Sequence, residues 1–200
     1  MWADHYDETV QLSDENHLYP FAGYKEILNL IFNEVMQKEH SHVLDIGFGT
    51  GVLTRKLYNH GHHIEGIDFS PKMIRIAQTV MPNAYLIEWD ISKGLPPNMK
   101  GEKYDAIIST YALHHLTDKE KVCFINHLLP LLKKGGKIFI GDIAFKTRKD
   151  LENCRYESKD YWDHDEHYFV YEELKTAFAN QCKFEFYPIS HCGGVFIIKV

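Results

Sequence analysis

The sequence predicts an α/β fold: a doubly wound sheet of seven strands, mostly parallel, that ends in an antiparallel hairpin. Three observations predict it. Apolar strands alternate with amphipathic helices along most of the 200 residues, a glycine-rich turn follows the first strand, and two apolar segments close the chain. Such alternation is typical of βαβ units, in which helices cover both faces of a parallel sheet.

The strands are short apolar segments set between turn residues. They are HVLDIG at 42–47, HHIEGID at 62–68, AYLIEWD at 84–90, YDAIIST at 104–110, KIFIGDIAF at 137–145, KFEFYPIS at 183–190 and GGVFIIKV at 193–200. The last two are separated by a short linker, which favours an antiparallel hairpin.

The helices follow from apolar residues at three- and four-residue steps. They are predicted at 20–39, 50–61, 70–80, 118–134 and 170–181. Ser70 and Pro71 form a helix start, a cap followed by proline in the first turn. Pro130 should bend or shorten its helix, which Gly135-Gly136 closes.

Residues 146–169 break the alternation and are charged and aromatic. A stretch of this length without periodicity predicts a functional lid or a short irregular insert. We therefore expect a single domain over residues 1–200, with an N-terminal helical cap at 1–40 and the lid or insert at 146–170.

Composition narrows the class of protein. A hydrophobic content of 44% supports a proper core, and four cysteines without CxxC spacing indicate a reduced, cytoplasmic protein. Neither a signal peptide nor an apolar segment of membrane-spanning length is visible. The formal charge of −6, with only scattered basic pairs, disfavours nucleic acid as a partner.

Three features fall together at the carboxyl ends of the first three strands. They are the turn Gly47-Phe48-Gly49-Thr50-Gly51, the acid Asp68 and the acid Asp90. Glycines let backbone pass close to a ligand, and the following helix offers free N–H groups to an anion. An acid ending the second strand can accept from a ribose diol, and one on the third can accept from an adenine amino group. Together they predict a site for an adenosine with a charged tail.

Each feature also has a plainer explanation. Tight turns use glycine anyway, Asp68 can cap the helix that follows it, and Asp90 alone is an ordinary acid at a strand end. The coincidence of all three favours a ligand. A dinucleotide fingerprint would read GxGxxG, whereas this chain reads GxGxG after Asp45.

VLDIGFGTG resembles motif I of class I S-adenosylmethionine-dependent methyltransferases, a Rossmann-like family. GIDFSPKMI and EWDIS are similar to the two motifs that follow it, and the segment WADHYDETV with AGYKEIL resembles small bacterial methyltransferases of unsettled substrate. The resemblance is strong over 43–142. It implies S-adenosylmethionine as cofactor and an enzyme that transfers its methyl group.

The resemblance also implies site residues. Gly47, Gly49 and Gly51 would lie by the methionine moiety, with Asp45 ordering the turn, and Asp68 would bind the ribose. The adenine would lie against the remaining residues of the set, which are Phe69, Asp90 and Ile91. Tyr6 is placed where an N-terminal aromatic residue closes over the cofactor, although core packing explains it equally well.

The catalytic residues are left open. His114, His115 and Tyr111 follow the fourth strand, where the reactive methyl group should lie, so each is a candidate. A supporting role for the histidine pair and a packing role for Tyr111 are the alternatives.

The aromatic loop YWDHDEHY offers a substrate lid made of Tyr161, Trp162 and His167. The alternating acids and histidines of this loop could also bind a divalent metal. A loop so rich in acids is more often simply solvated, and we predict no metal site.

The fourth strand ends in STYA and lacks the Asn/Asp-Pro-Pro-aromatic motif of methyltransferases that act on bases or glutamine amides. With the acidic charge, this predicts a small-molecule acceptor. The rival functions are a S-adenosylmethionine-binding protein with altered chemistry or a regulatory role, and then an NAD-linked oxidoreductase. The sequence predicts neither the acceptor atom nor the oligomeric state.

Overall fold

The structure is a computed structural model that describes residues 18–99, 101 and 103–200. Its main sheet has seven strands in the order β3-β2-β1-β4-β5-β8-β7, and a short strand β6 (Phe169–Val170) pairs with the end of β5. The main strands are β1 (His42–Ile46), β2 (His63–Asp68), β3 (Tyr85–Glu88), β4 (Tyr104–Thr110), β5 (Leu132–Phe145), β7 (Lys183–Pro188) and β8 (Gly193–Lys199). The predicted fold class is confirmed.

Strands β1 to β5 are parallel, whereas β8 runs antiparallel to both β5 and β7. The strand order reverses at β1, which has β2 on one side and β4 on the other. In an open parallel sheet, a crevice forms at the carboxyl ends of the strands beside this reversal. The glycine turn begins there.

Six helices accompany the strands in the described residues; five lie within the predicted segments, and one was not predicted. They are α1 (Tyr24–Val35), α2 (Val52–Asn59), α3 (Pro71–Val80), α4 (Asp118–Leu128), α5 (Arg148–Glu157) and α6 (Tyr171–Phe178). None of the helices in the described residues is long and apolar enough to span a membrane.

Alternate residues of each strand face opposite layers, and each layer has its own core. Val43 of β1 packs in the cluster that holds α1, α2, α3 and α5, and its neighbour Leu44 packs in the cluster with α4 and α6. Burial on both faces explains why these strands read as nearly continuous apolar runs.

Three predicted boundaries were wrong. The helix predicted at 118–134 ends at Leu128, followed by a 3-10 turn that contains Pro130, and β5 already begins at Leu132. Proline cannot donate the backbone hydrogen bond that would continue the helix, so the predicted shortening occurred. The third strand ends at Glu88, two residues before Asp90.

The segment 146–169 is more regular than predicted, because α5 occupies 148–157 of it. Thr147 caps this helix: its hydroxyl accepts from the Asp150 N–H, and the Asp150 carboxylate accepts from the Thr147 N–H. Only Leu151 and Cys154 of the helix are buried, which is why its apolar period was too weak to see. The single domain over 1–200 and the lid at 146–170 stay predictions.

Candidate active site

A cavity of about 840 Å³ opens at the carboxyl ends of β1, β2, β3 and β4. The glycine turn, Asp68 and Asp90 all line it. The sheet therefore brings together the three features that the sequence placed at successive strand ends.

The glycine turn takes a backbone that other residues adopt with difficulty. Gly47, Gly49 and Gly51 have φ values of 72°, 55° and 79°. A Cβ at Gly47 would stand 2.3 Å from the Cβ of Ala112, whereas one at Gly49 would meet nothing within 4 Å. The first glycine is thus required by the packing beneath it, and the second leaves its backbone open to the cavity.

Asp45 lies beneath this turn with 1% of its surface exposed. One carboxylate oxygen, Oδ2, accepts a short hydrogen bond from the Thr54 hydroxyl of α2. The other, Oδ1, is buried and has no hydrogen-bond partner among the residues that the structure describes. Burial raises the pKa of Asp45 to about 7, against the lowering effect of the Thr54 hydroxyl. A buried acceptor without a partner beside a cavity is a place for a ligand's donor.

Asp68 connects the ends of β1 and β2. Its Oδ2 accepts from the Gly49 N–H at 2.9 Å, and its Oδ1 accepts from the Ser70 N–H at 2.8 Å. Burial raises the pKa of Asp68, against these backbone hydrogen bonds. A carboxylate offers about four lone pairs, more than these N–H groups use, so Asp68 can order the turn and still accept from a ligand.

Phe69 follows Asp68 and is 71% exposed at the cavity wall. Ser70, next in the chain, caps α3 by accepting from the Met73 N–H. The cap sets the position of Phe69, whose ring presents a large apolar surface to solvent and to the cavity.

Asp90 and Ile91 form the opposite wall. The Asp90 carboxylate accepts from the Ser92 N–H at 2.9 Å, and hydrogen bonds from Ser92 lower the pKa of Asp90. Asp90 caps a 3-10 turn that begins at Ile91. The carboxylate is therefore ionised at neutral pH and fixed at the edge of the cavity.

Aromatic side chains line the cavity at the end of β4. Tyr111 has a φ of 51°, in the left-handed region, and its ring centroid lies 5.3 Å from that of Tyr24. Phe21 packs 5.2 Å from Tyr111. Tyr24 and Tyr111 both line the cavity.

The two histidines after β4 occupy different environments. His115 is exposed and lines the cavity. His114 is buried behind it: its Nδ1 lies 2.6 Å from Asp142 Oδ1 and its Nε2 lies 3.3 Å from Glu166 Oε1. Burial opposes the charged ring, but these two carboxylates outweigh it and raise the pKa of His114 to about 10. Partial burial and the charge of His114 lower the pKa of His115.

The three predicted lid residues are absent from the cavity lining within the described part of the chain. Trp162 stacks on Tyr19 with ring centroids 5.2 Å apart, and Tyr161 is 83% exposed. The His167 N–H donates to the His114 carbonyl at 2.8 Å. The lid function stays a prediction, as does the role of Tyr6, which lies outside the described residues.

The sequence analysis missed several residues of the site. They are Thr54, which contacts Asp45 from the helix after the glycine turn, and Asp142 and Glu166, which contact His114 from elements far away in the chain. A hydroxyl residue on the helix after the glycine turn could have drawn attention to Thr54. Nothing in the local sequence distinguishes Glu166 from the other acids of its segment.

Comparisons with known proteins agree with the geometry. A family model described as "Methyltransferase domain" matches residues 43–136. An uncharacterized methyltransferase of Geobacillus sp. strain WCH70 is 40% identical over 161 residues, which cover 80% of this chain and 72% of that protein. One from Geobacillus thermodenitrificans is 36% identical over 188 residues, 90% of this chain and 84% of that protein.

The fold is similar to that of a solved methyltransferase. The magnesium protoporphyrin IX methyltransferase from Synechocystis PCC 6803, solved with bound SAH, superimposes with a TM-score of 0.69 at 17% identity. The match covers 90% of this chain and 85% of that one.

Proposed function

The chain belongs to the methyltransferase family, and from that premise we propose that it transfers the methyl group of S-adenosylmethionine to a small-molecule acceptor. The observation that carries the proposal is the single cavity lined at once by the glycine turn, Asp68 and Asp90. Its volume of about 840 Å³ is within the usual range for small-molecule sites.

We assign the adenosine half of the cofactor to the end of the cavity that Asp68, Phe69 and Asp90 line. We assign the ribose hydroxyls to Asp68, which lines the cavity and has acceptor capacity left. The exposed ring of Phe69 is placed to stack on the adenine, an arrangement that aromatic pairs prefer. Asp90 is ionised and can accept from the adenine amino group, with the backbone N–H of Ile91 beside it.

We assign the amino-acid half of the cofactor to the space against the glycine turn, with Gly47 and Gly49 under it. Its ammonium group would donate to Oδ1 of Asp45, a buried acceptor that has no partner among the described residues. The open space over Gly49 accommodates the chain of the ligand, and any side chain there would occupy it. Gly51 is the N-cap of α2, and the free N–H groups at this helix start would bind the carboxylate of the ligand.

The acceptor would enter between Tyr24, Tyr111 and His115 at the end of β4. When bound, S-adenosylmethionine supplies a methyl group on a positively charged sulfur. The residues of this chain hold the acceptor in line with it and exclude water, and such positioning contributes up to about 7–11 kcal/mol. We propose that Tyr111 and His115 touch the acceptor, while His114 is a positioning residue behind them.

Calorimetric titration with S-adenosylmethionine, S-adenosylhomocysteine and NAD tests the ligand. The structure favours Phe69→Ala over Asp68→Ala as the probe, because Asp68 also orders the turn through Gly49 and Ser70. We expect tight binding of both sulfur ligands, weakened several-fold by Phe69→Ala. Binding of NAD alone, or of no ligand, would contradict the proposal.

Turnover tests the reaction. Formation of S-adenosylhomocysteine should be followed over a panel of small thiols, amines, hydroxyl compounds and carboxylates. Tight cofactor binding without turnover on any acceptor would favour a binding or regulatory protein of the same fold.

A further inference from the structure

His114, His115 and Glu166 lie together beside the acceptor end of the cavity. One donor atom of each residue lies within 4.8 Å of the other two. Two imidazoles and one carboxylate are a donor set that divalent transition metals such as zinc accept, and that magnesium and calcium do not prefer. We propose that these three side chains bind a divalent transition-metal ion of the zinc class.

The spacing of one donor pair fits such an ion. His114 Nε2 and Glu166 Oε1 are 3.3 Å apart. A tetrahedral zinc ion with bonds of about 2.1 Å holds neighbouring donors about 3.4 Å apart. A direct charge-assisted hydrogen bond would be about 2.7–2.9 Å long, and the contact from His114 to Asp142 is shorter still, at 2.6 Å. The longer contact, between His114 and Glu166, is the one to which His115 adds the third donor.

Two further residues hold the donors in place. Asp142 is fully buried and its Oδ1 lies 2.6 Å from His114 Nδ1, which directs the other ring nitrogen, Nε2, toward Glu166. The Tyr168 hydroxyl hydrogen-bonds to Glu166. A metal-bound histidine usually donates its second N–H to a carboxylate, and metal-bound carboxylates are themselves hydrogen-bonded.

The backbone fixes the segment that carries Glu166 against the turn that carries the histidines. The His167 N–H donates to the His114 carbonyl at 2.8 Å, and the buried Lys121 ammonium donates to the His167 carbonyl. These bonds hold the backbone next to Glu166 close to His114. The backbone therefore holds two of the donors, His114 and Glu166, near each other before an ion binds, and His115 supplies the third from the cavity wall.

The site opens toward the cavity because His115 is exposed and lines it. Three protein donors leave a fourth position for water or for a hydroxyl or thiol group. Any role of the ion in methyl transfer rests on the proposed function. Ion binding does not, because it can be measured without cofactor or acceptor.

The test uses untagged, full-length protein freed of metal by a chelator. Zn²⁺ is titrated by calorimetry, and Co²⁺ is added as a probe whose visible absorption reports the donor geometry. The variants are His115→Ala and Glu166→Gln, with His164→Ala as the matched control, since His164 is an exposed histidine of the same segment outside the cluster. Asp142→Asn tests the support of His114.

We expect one equivalent of Zn²⁺ on the wild type and on His164→Ala. Affinity should fall at least about a hundredfold in His115→Ala and Glu166→Gln, and about tenfold to a hundredfold in Asp142→Asn. The exposed position of His115 makes its variant safe for folding. Absence of stoichiometric binding, or binding that His115→Ala and Glu166→Gln leave unchanged, would overturn the proposal and leave a protonated His114 bridging two acids.

Discussion

Replacing Asp45 by asparagine tests the proposed contact with the cofactor's ammonium group. Asp45 is buried beneath the glycine turn, and its Oδ1 has no partner within the described residues. Asparagine keeps the size and a carbonyl acceptor but removes the negative charge. The variant should therefore lose the part of the affinity that depends on ionisation of Asp45.

The magnitude follows from the raised pKa of about 7. Only the ionised carboxylate attracts the ammonium, and about three-quarters of it is ionised near pH 7.5 but about a tenth near pH 6. Affinity for S-adenosylhomocysteine should fall about eightfold between those values, or about 1.2 kcal/mol. The ligand's amino group is mostly protonated over this range, since its pKa is about 7.7–8.0, and its partial loss of the proton near pH 7.5 reduces the expected change to about fivefold to sixfold.

The stability of the unliganded protein should depend on pH in the opposite direction to ligand affinity. The unfolded chain releases the Asp45 proton near pH 3.8 and the folded chain only near pH 7. Between these values the folded state holds more protons, so the free energy of unfolding attributable to this group falls as pH rises. Asparagine removes that penalty, and Asp45→Asn should be the more stable protein at pH 8, by up to about 4 kcal/mol.

Calorimetry of S-adenosylhomocysteine binding from pH 6 to 7.5, and urea unfolding at pH 5 and 8, measure both effects. The reasoning requires a pH slope in the wild type that is much flatter in the variant. Equal slopes in the two proteins would refute it, as would a variant that binds the ligand as tightly as the wild type at pH 7.5.

Three further outcomes are expected. Phe69→Ala should weaken the binding of S-adenosylmethionine several-fold in calorimetry with little change in stability. The control Tyr85→Ala removes a similarly exposed ring from β3, away from the cavity lining, and should leave the affinity unchanged. Gly47→Ala should lower the free energy of unfolding by about 1–3 kcal/mol in urea, because its Cβ would stand 2.3 Å from the Cβ of Ala112; an unaltered urea midpoint would contradict this. Asp105→Asn should cost about 1–3 kcal/mol at pH 7. Asp105 accepts from Lys38, Lys133 and the backbone N–H of His42. These bonds outweigh burial and lower the pKa of Asp105, so the difference from wild type should persist above pH 4 and fade as pH falls further.

Local patterns predicted most of the fold. The alternation of apolar strands and helices, the cap at Ser70 and the effect of Pro130 depend on a few neighbouring residues, and all are present. The helix α5 was missed because it buries only two residues and stabilises its start by a capping box instead. A helix with few buried residues has a weak apolar period, so sequence analysis misses it even when the residues of its cap can be recognised.

The sequence by itself determined the fold class, the position of the glycine turn and the acids that follow it, because glycine dihedrals and strand ends are local properties. Only the tertiary structure decided which of these residues share a cavity and which side chains stand behind them. It paired His114 with Asp142 and Glu166, placed His115 at the cavity wall and left one oxygen of Asp45 without a described partner. Those contacts join residues far apart in the chain, and burial there changes the chemistry of groups that look ordinary in sequence.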